Sequence, residues 1–387
     1  MSRFQIPFTL RFLAAALLFQ HASSQDSSNL RDRFRPFVDR SELAGAVMLV
    51  ADRNKILAHE TVGYSNVEAK APMRPDTLFW IASQSKPITG AAFMMLVDEG
   101  KVNLDDPVEK YLPEFSEQMV VGEKSEKSLT LVQPERPITI RGILSHTSGL
   151  PFKSALETPT LDRYPLEGRV RSYAMTPLES QPGVKFQYSN AGINTAARII
   201  EVISGQSFED FLQERIFDPL QMNDTTFWPS ETQASRIALS YKPGPEKKGL
   251  EPLEIDQLKY PLSDRIRRFP VPAGGLFSSA EDVAKFYRML LNNGKLDGKR
   301  LLSESAVSEL SKKQTPDSID KGYGLGFSVN GGSFGHGGAY STNTTIETKP
   351  GLILIWLVQH AGFPGNGKEC QGIFRSAALE KFSPRQP

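Results

Sequence analysis

Stretches with strand character lie at the two ends of this chain and helical stretches fill the middle, and that division limits the fold more than any other feature. Near the start, "AGAVMLVADRNKILAHETVGYSN" holds two β-rich apolar runs on either side of Asp52–Arg53–Asn54, a turn-forming triplet, and so reads as a hairpin. Three more such runs lie near the end: "YGLGFSVNG", "GAYSTNTTIETKP" and "GLILIWLVQH". Gly, Asn and Pro separate them, and the helical stretch "QGIFRSAALEKF" follows. Five strands split in this way form, most simply, one antiparallel sheet flanked by terminal helices, with everything between them inserted. The expected fold class is α+β. Residues 25–80 and 320–387 supply the sheet part, and residues 81–319 a mainly helical part of the same unit.

Helical spacing recurs through that middle. "SKPITGAAFMMLVDEG" carries apolar residues at helical intervals and stops at Gly100, while "NAGINTAARIIEVISG" stops at Gly205 and "SFEDFLQERIFDPL" repeats the pattern. "SSAEDVAKFYRMLLNNG" is the clearest helix, with Ser279 as its N-cap and Asn293–Gly294 at its end. The polar, proline-bearing stretch "GEKSEKSLTLVQPERP" reads as a solvated loop.

The first residues stand apart. Arg3 and Arg11 precede an apolar run from Phe12 to Phe19, and Ala22 and Ser24 follow where a cleavage site needs small residues, so residues 1–24 read as a secretory signal peptide. The run is too short to cross a bilayer, which takes roughly 20 residues; a membrane anchor is the weaker reading, and stable membrane insertion is not expected. The expected location is therefore secreted or periplasmic. Losing both arginines moves the formal net charge from +1 to −1, and neither value gives the basic surface that nucleic acid requires. Cys370 is the one cysteine, so an exported chain would hold no internal disulfide, and no histidine-bearing motif near it suggests a nucleophile.

Chemistry enters with "IASQSKPIT". Ser-x-x-Lys occurs twice, as Ser83–Lys86 and Ser318–Lys321, and the second lies in a turn-like stretch where the side chains need not meet. Ser83 opens an expected helix, where residues three apart share a face, so Lys86 can reach the Ser83 hydroxyl. Pro87 falls in the first turn, where few amides have partners to lose. Free N–H groups at that helix start could hold an oxyanion and disfavour a charged lysine. An ordinary lysine, with a pKa of about 10.4, is protonated at neutral pH; to act as a base it must be lowered to roughly 7 or 8.

"YSN" also occurs twice. Tyr64–Asn66 ends an expected strand. Tyr188–Asn190 sits in "QPGVKFQYSNAGIN", a turn running straight into a helix, where a tyrosine can pass protons and an asparagine amide can hold a substrate carbonyl. Third comes "FGHGGAYS", which opens the fourth expected strand. Gly337 and Gly338 allow close approach to the backbone, and the amide of Ala339 could join that of Ser83 as an oxyanion donor.

These three elements, in this order, resemble the serine β-lactamase and penicillin-binding-protein superfamily. The Tyr-x-Asn form is similar to its class C branch, which also includes D-alanyl-D-alanine carboxypeptidases, D-aminopeptidases and carboxylesterases. "DTLFWIASQSKPIT", "LDDPVEKYLPEF", "ITIRGILSHTSGLP", "PGVKFQYSNAG", "DPLQMNDTTF" and "PAGGLFSSAEDVAKF" extend the likeness over nearly the whole mature chain. The resemblance implies a Ser83 nucleophile, Lys86 and Tyr188 as the proton-handling pair, and Asn190 and His336 as substrate-binding residues with Gly337 and Gly338. Which of Lys86 and Tyr188 is the acylation base stays open. His146, in "ILSHTSGLP", belongs to a loop motif and reads as structural. The family's β-lactam- and peptide-acting members usually carry Lys-Thr-Gly where this chain has His336-Gly337-Gly338. With an unperturbed pKa near 6.5, that histidine is mostly neutral above pH 7. Uncharged substrates are expected, with His336→Lys improving those that bear a carboxylate; Asn366 and Lys368 are other carboxylate contacts to consider.

The expected activity is acyl transfer to water from a small ester, amide or cell-wall peptide, without a cofactor or metal. A true β-lactamase or carboxypeptidase is the alternative, and a non-catalytic cell-wall binding or sensing member is the second. An α/β-hydrolase would need a Gly-x-Ser-x-Gly elbow downstream of His336, and none is there. The five histidines show neither His-x-His nor His-Glu-x-x-His spacing, which disfavours metal-assisted hydrolysis.

Overall fold

Strand β1 (Gly45–Ala51) and strand β7 (Leu352–Leu357) pair antiparallel at the centre of the sheet, with Met48 opposite Trp356 and Leu49 opposite Ile355. The protein is described from a computed structural model, over residues 29–384; the signal-peptide segment lies outside the described residues. The other strands are β2 (Ile56–Asn66), β3 (Ala71–Pro72), β4 (Ser328–Asn330), β5 (Ser333–Gly337) and β6 (Asn343–Glu347), in the spatial order β4-β5-β6-β7-β1-β2-β3. The α+β class and the split between chain ends therefore hold, but the sheet has seven strands rather than five. Strand β3 is a two-residue edge containing a proline, too short to leave a pattern. Strand β5, "SFGHG", has Phe334 as its only large apolar residue, so its alternation is invisible in sequence. Its partners reveal it: Phe334 lies opposite Ile346 and His336 opposite Thr344. His336 consequently lies near the end of this extra strand instead of opening the next one.

The two central strands are continuous apolar runs because both of their faces are covered. Val47, Leu49, Ala51, Ile353 and Ile355 point into the core shared with the helical region. Ala46, Met48, Val50, Leu354 and Trp356 alternate to the other face. There they meet Phe34, Phe37 and Phe374 from the terminal segments, which include helix α1 (Arg35–Asp39) and the closing helix "CQGIFRSAALEKF" (Cys370–Phe382). The turn between β1 and β2 is closed by Asp52, whose Oδ1 accepts from the amides of Asn54 and Lys55 at 2.7 and 2.8 Å.

Helix α2 (Ser85–Asp98) runs through the molecule with every residue from Ser85 to Leu96 buried. Beyond the polar first turns with Ser85, Lys86 and Thr89, it is apolar on all sides for that reason. Helix α4 (Asn190–Ser204) packs beside it, and helix α3 (Ile140–Leu144) packs on α4 in turn. Gly192 lets α4 approach α3, since a Cβ there would come 2.6 Å from the Ile143 carbonyl oxygen. Helix α5 (Ala280–Leu291) begins at Ser279, whose Oγ accepts from the Asp282 amide at 3.3 Å, as a cap should. Among the described residues no helix is long and apolar enough to cross a membrane.

Candidate active site

Ser83 stands in a single 3₁₀ turn, Ala82–Gln84, immediately before α2 rather than on the helix itself. Ala82 has φ of +46°, a left-handed conformation that costs a residue with a Cβ of order 1 kcal/mol. The turn is held from within by Ser85, whose hydroxyl donates to the Ala82 carbonyl at 2.7 Å and accepts from the Leu276 amide at 3.2 Å. One turn on, Lys86 is fully buried. Its Nζ lies 3.2 Å from Ser83 Oγ, 2.8 Å from Asn190 Oδ1 and 2.8 Å from the Ala273 carbonyl oxygen. Burial without a carboxylate partner drives its pKa well below the ordinary lysine value. A neutral amine has two N–H bonds and one lone pair. In that form Asn190 and Ala273 can take the two N–H bonds and leave the lone pair for the Ser83 hydroxyl.

The motif Tyr188–Ser189–Asn190 owes its geometry to its middle residue. Ser189 caps α4: its Oγ accepts from the Gly192 amide at 3.1 Å and donates to the Pro151 carbonyl at 2.6 Å. Asn190 thus becomes the first helical residue, and Tyr188 the last residue before the cap. The Tyr188 ring centroid lies 4.6 Å from Lys86 Nζ. Burial raises the pKa of Tyr188 well above the ordinary phenol value, with the Ser83 hydroxyl opposing the shift, so the group keeps its proton.

A cavity of about 360 Å³ opens at Ser83. Tyr188, Asn190, Gly337, Gly338 and Ala339 line it together with Trp80, Phe152, Leu161, Gln257, Ala273 and Gly274, and no lining residue is charged. The structure therefore brings Ser83, Tyr188, Asn190 and the Gly337–Ala339 segment to one place, with Lys86 beneath them. His336 is different. It does not line the cavity. Its Nδ1 lies 2.6 Å from the Gly337 carbonyl oxygen, which can only accept, so Nδ1 carries the proton and Nε2 accepts from the Tyr323 hydroxyl at 2.9 Å. Burial, reinforced by Lys86, pushes its pKa down to about 3. The ring is neutral throughout the working range of most enzymes, and it braces the backbone beside the cavity. A lysine there would have to bury an amine among Tyr323, Tyr188 and the Gly337 carbonyl, so the expected gain on carboxylate substrates loses its basis.

Two further groups bear on the site, the Ala273 carbonyl, which the sequence does not mark, and His146. The Ala273 carbonyl, one of the two acceptors holding Lys86, belongs to "PAGG"; its own amide donates to Asn194 Oδ1 at 3.1 Å. No local signal marks it. His146 packs with ring centroids 4.6 Å from both Tyr188 and Tyr323, and its Nδ1 accepts from the Ser189 amide at 3.2 Å. This loop histidine thus holds the neighbours of Tyr188 and packs against its ring.

The duplicate motifs separate cleanly. Tyr64 lies in β2 opposite Pro72, Asn66 Oδ1 accepts from Ala69, and Ser318 and Lys321 are exposed; none of them lines the cavity. Neither do Asn366 and Lys368. A Gly-x-Ser-x-Gly match does exist upstream of His336, at Gly331–Gly335. Its serine, Ser333, starts β5 opposite Glu347, with no helix following, so it is not a nucleophile elbow. Cys370 is buried under the outer sheet face and its thiol is pushed up to about 12 by burial. Among the described residues no cluster of His, Cys, Asp or Glu could hold a metal ion.

A sheet of this topology, with a Ser-x-x-Lys turn facing a Tyr-x-Asn helix cap and a late Gly-rich strand, defines the serine β-lactamase and penicillin-binding-protein class. The chain belongs to the Beta-lactamase family, whose model matches residues 30–373. An uncharacterised protein of Mycobacterium tuberculosis is 32% identical over 84% of this chain and 88% of its own length. Esterase EstB of Burkholderia gladioli is 27% identical over 90% of this chain and 95% of its own. Among solved structures, EstCE1, a hydrolase with promiscuous acyltransferase activity, superposes with a TM-score of 0.75 at 22% identity, covering 90% of this chain and 97% of that one. Simvastatin synthase (LovD) from Aspergillus terreus does so with 0.76 at 21%, covering 92% and 98%. At those identities the structural matches bear on the fold alone.

Proposed function

We propose that this protein is a serine hydrolase that works through an acyl-enzyme on Ser83 and acts on small, uncharged esters or amides. The observation that carries the reading is the buried Lys86, whose Nζ lies 2.8 Å from two pure acceptors and 3.2 Å from Ser83 Oγ, so that a neutral amine can turn its lone pair to the nucleophile. In the first half-reaction Ser83 Oγ attacks the substrate carbonyl and gives its proton to Lys86 Nζ. The oxyanion forms against the amides of Ser83 and Ala339. The proton then passes, through the Tyr188 hydroxyl, to the departing alkoxide or amine, leaving an ester on Ser83. Water repeats the sequence and releases the acid. Lys86, lowered by burial, suits the base, and Tyr188, raised by burial, suits a relay that never becomes phenolate. An alcohol in place of water would make the same site an acyltransferase. The esterase name of one relative and the acyltransferase activity named for one structural neighbour agree with this chemistry.

The uncharged cavity supports the substrate class. A β-lactamase or carboxypeptidase reading would call for a cation beside the substrate carboxylate, and none lines the cavity. A non-catalytic binding member would not need Ser83, Lys86 and Tyr188 together. Secretion or a periplasmic location belongs to this proposal and rests on the leader-like residues 1–24.

Two measurements test the reading. A short-chain p-nitrophenyl ester is expected to show a kcat/KM well above those of a D-amino-acid amide, a D-Ala-D-Ala peptide and a chromogenic cephalosporin. His336, already neutral at pH 6, should add no step to the ranking between pH 6 and pH 8. Efficient cephalosporin hydrolysis would restore the β-lactamase reading. Tyr188→Phe is expected to lower kcat by about 100-fold, the scale of a lost proton-transfer group, while Tyr64→Phe stays near wild type. A larger loss from Tyr64→Phe would transfer the role to the other motif.

A further inference from the structure

Three contacts join the nucleophile turn to the hairpin that carries Ala339, and they bracket Ser83 from both sides. Before it, the Ile81 carbonyl oxygen accepts from the Thr342 hydroxyl at 3.4 Å. After it, Gln84 Oε1 accepts from the Thr344 hydroxyl at 2.7 Å. Between them Gly338 sits so close that a Cβ would come 2.6 Å from the Ile81 carbonyl oxygen and 2.2 Å from Thr342 Oγ1. Gln84 and Thr344 are 2% and 0% exposed, so water does not compete for their bond. Residues 84 and 344 come from opposite ends of the chain, the first beside the nucleophile and the second on β6, directly opposite His336.

We propose that Gln84 and Thr344 are positioning residues: their hydrogen bond fixes the distance between the Ser83 and Ala339 amides and so sets the oxyanion site. The inference rests on the acyl-enzyme reading above. Ala82, at φ +46°, is an unfavourable conformation that persists only if its neighbours hold it. The bonds at Ile81 and Gln84 do this from either side. Donors aimed at developing charge act only if they stand 2.7–3.1 Å from the oxyanion's final position. A hairpin free to shift against the turn would lose that geometry, while Lys86 and Tyr188, which belong to other elements, would keep theirs.

The test uses the full chain and a short-chain p-nitrophenyl ester. Thr344→Val, which keeps shape and removes the hydroxyl, is expected to lower kcat by about 10-fold or more. This is below the 100-fold or greater loss that follows complete removal of an oxyanion donor. KM should stay within about twofold, and the pH profile should not move, because the proton-handling groups are untouched. Thr344→Ser should restore kcat. Gln84→Leu breaks the same bond from the other side and serves if the valine variant fails to fold; the double variant should be no slower than either single one. Multiplying losses in the double variant would overturn the proposal, as would a kcat within about twofold of wild type or a shifted pH profile. A fluorophosphonate probe separates the two levels. Wild type labelled at Ser83 with Thr344→Val labelled equally fast sinks the clasp alone; wild type unlabelled at Ser83 overturns the acyl-enzyme reading and the clasp with it.

Discussion

Ser83→Ala is expected to abolish both turnover and labelling by a fluorophosphonate, with kcat on a p-nitrophenyl ester falling by about 1,000-fold or more. The reason is chemical rather than structural. The neighbouring hydroxyls are otherwise engaged: Ser85 is committed to the Ala82 carbonyl and the Leu276 amide, and the Tyr188 phenol is held protonated by burial. The substitution removes one oxygen from the cavity wall and leaves the turn's own hydrogen bonds in place, so thermal stability should change little. Mass spectrometry of labelled wild type should put the added mass on the peptide containing Ser83. Mass on the peptide containing Ser318, an exposed residue at the other Ser-x-x-Lys match, would move the active site.

Lys86→Met should cost at least about 100-fold in kcat and should also change how stability depends on pH. Methionine fills similar space but cannot accept the Ser83 proton, so the loss should appear in kcat rather than KM. In the wild type, activity should rise with pH through the lowered Lys86 pKa, where the amine becomes neutral. His336, at about 3, adds no step between pH 5 and 8, and burial shifts His146 in the same direction. The stability effect has a definite sign. An unfolded lysine titrates near 10.4 and the folded Lys86 titrates well below that, so between the two values the unfolded chain binds more protons and stability rises with pH. The burial penalty is full below the folded value and gone above the unfolded one. Urea midpoints from pH 7 to 10 should therefore climb more in wild type than in Lys86→Met. Parallel curves would mean that Lys86 is charged in the folded protein, and the general-base role would fall.

How much of this was legible in sequence depends on distance along the chain. Ser83 and Lys86 were readable because residues three apart at a helical turn share a face. Tyr188 and Asn190 were readable because the serine between them is an N-cap that turns both neighbours toward one cavity. The central strands were readable because runs such as "GAVMLVA" are apolar at every position, as burial on both faces demands. By contrast, β5 has too few large side chains to show a period and exists because Ile346 and Thr344 stand opposite it. The Ala273 carbonyl has no side chain to advertise its hold on Lys86.

The sequence by itself determined the α+β division, the order of the three motifs and which residues could meet within one turn of backbone. Tertiary structure alone decided what those residues are in chemical terms. Lys86 has a lowered pKa because α2 is buried on every side and brings no carboxylate near it, a property of packing that three neighbouring letters cannot express. His336 looked like a substrate contact by its place in a motif. It became a brace because Tyr323 and the Gly337 carbonyl claim both ring nitrogens. Hydrogen bonds and desolvation are set by whichever groups fold into contact, and for residues 84 and 344 those groups are 260 positions apart.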